Sequence, residues 1–288
     1  MFWLVPPHLR KVSQILRHTR VSWHETNIMI LLNKRILAIA VNTFRQSLRD
    51  RILFVAVGFA IFFIAFSLFI GSISLDQDVR IMQNLGLTVI FLLQMFVAVF
   101  VSATLIYTEV ERRTFFMILP KPLHRSEVLL GKFIGLALLN ALVTLLAGIV
   151  YAAVVYSKAG FAFPLAGSLL AIGFGFAEAL IVTLLGILFS ALTSPILAVF
   201  YLVAVCVIGH SSSLLLAVIV KQGQPIVKYA LYGLYYVFPS FEKFSIRDQA
   251  VYGALPSAEH VLFTMLYAVA YGWCVFIIAR LIFDRRQF

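Results

Sequence analysis

Charge is what this sequence has least of. Only 12% of its 288 residues are Asp, Glu, Lys or Arg and 62% are hydrophobic, where a soluble domain is about a quarter charged. The mean hydropathy is +1.01. These figures exclude an ordinary soluble domain and point to an integral membrane protein. Acidic residues are scarcer than basic ones, 12 against 23, which leaves a net charge of +11. Nucleic-acid binding would need a basic face on a soluble fold. Here the basic residues gather between apolar runs, as in the cytoplasmic loops of membrane proteins, so no nucleic-acid partner is expected. Cysteine is nearly absent. Cys206 and Cys274 both lie in apolar runs and are expected to be small buried hydrophobes, not a disulfide framework or a metal site. The G-x-x-x-x-G-K-[ST] loop is missing: Gly131-Lys132 has Ser126 where the first glycine belongs. Phosphates of ATP therefore have no such cradle on this chain. The N-terminal stretch is basic and polar, with no short apolar core followed by a small-residue cleavage site, and does not read as a signal peptide.

What is present is a series of long apolar runs. A helix needs about 20 apolar residues to cross the hydrocarbon, and the charge-poor intervals supply six spans, at about 52–75, 82–107, 128–156, 167–192, 196–220 and 259–281. The division between the fourth and fifth falls at Thr193-Ser194-Pro195, because Ser or Thr ahead of Pro is a helix-start signal. The expected fold class is all-α integral membrane. Six spans place both termini on one side. Lys and Arg choose the side: nine precede residue 52, five lie in 108–132 and three follow residue 279, so 17 of the 23 share a face. The positive-inside rule then puts the termini and the 108–132 segment in the cytoplasm, and the 221–258 segment outside.

Residues 1–28 read as a basic N-terminal extension, and the membrane domain as 29–288, with Met29 a candidate natural start. The stretch from Asn33 to Arg51 is amphipathic. Its apolar stripe is Ile36 and Leu37, Ala40 and Val41, Phe44 and Leu48, the pattern of a helix lying in the interface before the first span.

Between the second and third spans the chain runs YTEVERRTFFMILPKPLHRSEVLLGKFIG, Tyr107 to Gly135. Glu109, Glu111, Arg112, Arg113 and Thr114 precede a five-residue apolar patch from Phe115 and Phe116 to Leu119. Pro120 and Pro122 stop any helix. Ser126 can cap the next one, with Glu127 at its positive end. A short helix of this kind is poorly stable alone in water and would gain stability by docking. An ordinary interfacial loop helix is the plainer alternative.

This segment resembles the permease subunits of ABC-2 type ATP-binding-cassette transporters: an acidic-x-acidic-Arg-x-Thr run, a proline-flanked stop, then Arg-x-Glu and Leu-x-Gly-Lys. ILAIAVNTFRQSLRDRIL (36–53), SALTSPILAVFYLVAVCVIGH (190–210) and VFPSFEKFSIRDQAVYG (237–253) resemble other parts of that family in the same order. The resemblance covers roughly residues 30–288. It implies that Glu109, Glu111, Arg112, Arg113, Thr114, Phe115 and Phe116 belong to a coupling helix that docks on a separate P-loop ATPase, two copies of which would carry the ATP and Mg. It also implies an exporter of the bacterial inner membrane working as a homodimer. The second and fifth spans would line the pathway, short re-entrant helices would lie between spans five and six, and a periplasmic or accessory protein could join. No cofactor is expected on this chain, and the chain itself is expected to be a transport subunit, not an enzyme. The rivals are an intramembrane lipid-modifying enzyme and an ion-coupled carrier without an ATPase.

Five polar residues inside the spans stand out. Glu178 is the one acidic residue deep in a span, where charge is costly and usually paired or functional. It reads either as a hydrogen-bonded group at a helix contact or as lining a substrate or proton route. Gly167, Ala171, Gly175 and Ala179 on the same span form a small-residue face for close helix approach. His210 reads as a hydrogen-bonded histidine where its helix nears the outer interface. Gln94 and Asn140, with Thr144, read as interhelical hydrogen bonds. The aromatics of 221–258 suggest an interfacial belt.

Overall fold

The computed structural model describes residues 34–73, 78–111, 125–159, 165–221 and 225–285, and among them there is no strand. Helix α1 (Lys34–Leu48) leads into α2 (Arg51–Ile73). Then come α3 (Asp78–Glu111), α4 (Arg125–Ala159), α5 (Leu165–Leu192), α6 (Pro195–His210), α7 (Ser212–Lys221) and α8 (Pro225–Val237). A 3-10 turn (Phe241–Phe244), α9 (Arg247–Val251) and α10 (Ala258–Arg285) complete the chain.

Four segments are long and apolar enough to cross a membrane: Val79–Leu105, Ser126–Lys158, Leu165–Leu192 and Ala258–Phe283. Two bent pairs raise the number to six if each counts as one span. One is α1 with α2, bent by 66°, and the other is α6 with α7, bent by 64°. The first bend agrees with an amphipathic helix that turns into a span. The second departs from expectation, since 196–220 read as one continuous span. Ser211 takes φ −103° and ψ 22° and interrupts the helix between Gly209 and the serine run 211–213. Gly/Ser positions are where sharp kinks occur.

The core lies around α5. Of its most apolar stretch, 67% is buried, against 22% for α10, which makes α5 the central helix and α10 a peripheral one. α5 packs against α3, α4, α6, α9 and α10. Its small face explains the closeness: a Cβ on Gly175 would sit 2.5 Å from Gln94 Oε1, and one on Gly167 3.2 Å from the Ala250 carbonyl. The peripheral placement of α10 also corrects the expectation for Cys274, which is exposed on its outward side while Cys206 is half-buried.

α1 packs with a face rotated from the expected stripe. Ala40, Thr43 and Ser47 are buried, while Leu37 and Val41 are exposed. The cause is α4. A Cβ on Gly131 would meet the Ile39 side chain at 2.7 Å, and one on Gly135 would meet the Ala40 carbonyl at 2.6 Å and Thr43 at 2.8 Å. Backbones this close accept Ala, Thr and Ser between them, and the bulkier Leu37 and Val41 turn away.

At the opposite end of α5, the 3-10 turn and α9 form a cap. Phe241, Phe244, Ile246 and Ala250 are buried, and the Phe244 ring stands edge-on to Phe174 of α5 at 6.3 Å. Two tyrosines of α10 tie down the approach to the cap. Tyr271 donates its hydroxyl to the Val237 carbonyl at 3.1 Å, and the Ser240 amide donates to the Tyr267 hydroxyl at 2.9 Å.

Candidate functional site

The cap, the α6–α7 break and the centre of α5 meet at one point. Glu178, 1% exposed, is aimed from α5 at His210, the last residue of α6, and its Oε1 lies 3.1 Å from His210 Nε2. The approach is oblique. The two atoms are within ion-pair range but off the axis of a hydrogen bond, and neither has another partner. The other ring nitrogen, Nδ1, lies 2.9 Å from the Cys206 carbonyl.

Aromatic rings close the corner. Phe91 of α3 meets the imidazole edge-on at 5.7 Å, and Phe241 of the cap lies 5.6 Å from it. Arg247 of α9 places its guanidinium over the Phe91 ring, 4.0 Å from its centroid. A cation against an aromatic face is favourable, more so when desolvated. Burial pushes the Arg247 guanidinium below its ordinary pKa, and the Glu178 and Asp248 carboxylates oppose that shift.

The helix break is held from the cap. Ser212 donates its hydroxyl to Glu242 Oε2 at 2.8 Å, and the Ser213 amide donates to the same oxygen at 2.8 Å. Glu242 thus satisfies an amide that the broken ladder leaves open at the N-terminus of α7, the end where a carboxylate is favoured. The Ser212 hydroxyl bond holds the Glu242 carboxyl below its ordinary pKa of 4.5. Gly209 completes the clamp, since a Cβ there would meet the Phe241 ring at 2.5 Å and the Pro239 carbonyl at 2.6 Å.

The second polar site meets α5 at Ile172 and Gly175, nearer its N-terminus than Glu178. Gln94 Nε2 donates to Thr144 Oγ1 and to the Ile172 carbonyl, both at 3.2 Å. Asn140 Nδ2 donates to the Gln94 carbonyl at 3.3 Å, and Thr144 Oγ1 donates to Asn140 Oδ1 at 3.4 Å. These bonds join α3, α4 and α5.

Of the residues expected at an ATPase contact, Glu109 and Glu111 lie in the last turn of α3, while Arg112, Arg113, Thr114, Phe115 and Phe116 fall outside the described residues. So do the 1–28 extension and Met29. The structure brings Glu178 and His210 together, and Gln94 with Asn140, but as two separate sites. Arg247, Phe91 and Glu242 were not singled out from the sequence. A signal for the first pairing was present: Glu178 and His210 lie the same number of residues, sixteen, before and after Ser194. Two antiparallel helices joined by a tight turn bring such residues to one height. Among the described residues no three His, Cys, Asp or Glu are placed to hold a metal ion.

Residues 37–287 match a protein-family model described as ABC-2 family transporter protein. No curated protein matches the chain.

Proposed function

The chain belongs to the ABC-2 family of transporter proteins and is a membrane transport subunit, and from that premise we propose that it is the permease of an exporter driven by a separate P-loop ATPase. Two copies of the chain form the pathway, with the termini and the 108–132 segment in the bacterial cytoplasm and the cap outside. The Glu109–Phe116 stretch is the contact through which ATP hydrolysis moves the helices, and the partner ATPase holds the ATP and Mg.

One observation carries this reading. α3 runs past its apolar stretch, which ends at Leu105, as unbroken helix to Glu111, about 9 Å further at 1.5 Å per residue. α4 begins again at Arg125. The charged stretch with its Phe115–Leu119 patch therefore joins two long helices that pack together in the core, so force applied there is passed directly to both. The rival reading of an intramembrane enzyme gains an acid–histidine pair, but the nearby Ser212 hydroxyl is directed to Glu242 and away from that pair.

The test is capture of an ATPase. An apolar cytoplasmic patch bounded by charge is the kind of surface that marks a partner site, and truncating an aromatic anchor costs about 2 kcal/mol or more, roughly a thirtyfold loss of affinity. Replacing Phe115 and Phe116 with Ala is expected to leave the helices inserted while co-purification of the ATPase and transport are lost. Wild-type protein that purifies from its native membrane with no P-loop ATPase and still moves or modifies a substrate would overturn the reading.

A further inference from the structure

Two polar atoms face each other in the apolar corner beneath the cap, and hydrogen chemistry limits how they can do so. The Cys206 carbonyl only accepts, so His210 Nδ1, 2.9 Å away, carries its hydrogen. Nε2 then faces Glu178 Oε1 at 3.1 Å. A carboxylate oxygen opposite a bare ring nitrogen would set lone pair against lone pair, with no other partner for either. One proton between them removes the conflict. It makes either a neutral acid beside a neutral imidazole or a carboxylate beside an imidazolium, and in both cases the pair is neutral as a unit.

We infer that Glu178 and His210 form a proton-binding site whose occupancy decides whether the cap stays seated. With one proton the pair is neutral, and Arg247 rests over Phe91 with the cap closed. A second proton leaves a neutral acid beside an imidazolium. Two cations, imidazolium and guanidinium, then share an apolar corner where charges interact far more strongly than in water, and the cap lifts.

Among the described residues, the groups around the pair are few. α5 supplies Glu178, and α6 supplies Cys206 and His210. The cap supplies Glu242, Lys243, Arg247 and Asp248. α3 presents the Phe91 ring. From α10, His260 stacks on Phe174 at 6.1 Å and places its Nε2 3.1 Å from the Lys243 carbonyl. Arg247 acts electrostatically on both members of the pair. Among the described residues His260 is thus the one other histidine at the cap, and it needs its own control. Glu242 does not interfere, because its carboxyl is held below 4.5 and stays ionised through the range in which imidazoles titrate, around pH 6.5.

The inference concerns the cap alone and does not depend on the direction or energy source of transport. Backbone hydrogen exchange in residues 241–251, corrected for the intrinsic effect of pH, is measured on the full chain in lipid nanodiscs at about pH 8 and about pH 5.5, either side of the ordinary imidazole value. Wild-type protein and His260→Gln are expected to lose protection in acid. His210→Gln, which cannot bind the second proton, and Arg247→Gln, which removes the repelled charge, are expected to keep one level of protection at both pH values. Infrared spectra of the acid sample should carry a protonated-carboxyl band that Glu178→Gln removes. Equal protection of the wild-type cap at both pH values, a wild-type response in His210→Gln or Arg247→Gln, or no such band in wild-type protein would each overturn the inference. The wild-type measurements decide it even where a variant fails to fold.

Discussion

Two buried polar sites touch the central helix, and they are built in opposite ways. At Gln94, Asn140 and Thr144 the groups are neutral; three hydrogen bonds tie α3, α4 and α5 together and a fourth lies within α4, with Gln94 Oε1 the one side-chain oxygen there left without a partner. At Glu178 and His210 the groups are titratable, and they meet obliquely across 3.1 Å. Gln94, Asn140 and Glu178 are all buried, while the His210 side chain is 30% exposed. The difference lies in what each can change. Amides and hydroxyls keep one charge state and serve best fully bonded. An acid–histidine pair gains or loses charge with a proton, and a loose geometry leaves room for both states.

Breaking the first site should produce the largest effect. Gly175→Leu would drive a side chain into Gln94 Oε1, 2.5 Å from where a Cβ would stand, and overpacking of this kind costs about 1–3 kcal/mol. The expected result is a lower midpoint when the purified chain is unfolded by denaturing detergent. Gly173→Leu, two residues away with nothing within 4 Å of its Cβ position, should leave that midpoint unchanged. Next in size is Gln94→Leu, which deletes two interhelical bonds. At roughly 0.6 kcal/mol for each bond within a membrane protein, the same measurement should show a loss of about 1 kcal/mol.

Glu178→Gln sharpens the contrast from the other side. It preserves shape and removes the titration, so insertion should be normal and the loss of stability smaller than that of Gln94→Leu. If the variant fails to insert, the pair is a packing element like the amide network and the contrast disappears. The smallest effect belongs to Glu242. Its carboxyl pKa is depressed by Ser212, so the stability it lends is complete above the ordinary carboxylate range and is lost as pH falls through its lowered value. Exchange at the α7 N-terminus should therefore rise only well into acid, and Ser212→Ala should move that rise to higher pH.

Much of the architecture was legible because lipid imposes simple demands. Length and apolarity located the helices within a few residues, and Thr193-Ser194-Pro195 marked the α5–α6 turn, where Pro195 opens α6. What was not legible depended on neighbours far away in sequence. The bend at Ser211 needs Glu242 and the Phe241–Gly209 contact. The face that α1 buries is set by Gly131 and Gly135 of α4; its own periodicity pointed to a stripe that includes the buried Ala40 but also Leu37 and Val41, which are exposed. Arg247 looks like any loop cation until Phe91 is found beneath it.

The seat of α1 on α4 has a consequence for how the protein is made. The helix at 34–48 rests on Gly131 and Gly135, so its resting place does not exist until about ninety further residues have left the ribosome. At roughly 5–20 residues per second, that is a wait on the order of ten seconds. In that interval α1 lacks α4 to lean on. Leu37 and Val41, exposed in the finished fold, would give it an apolar side to rest against lipid until α4 arrives.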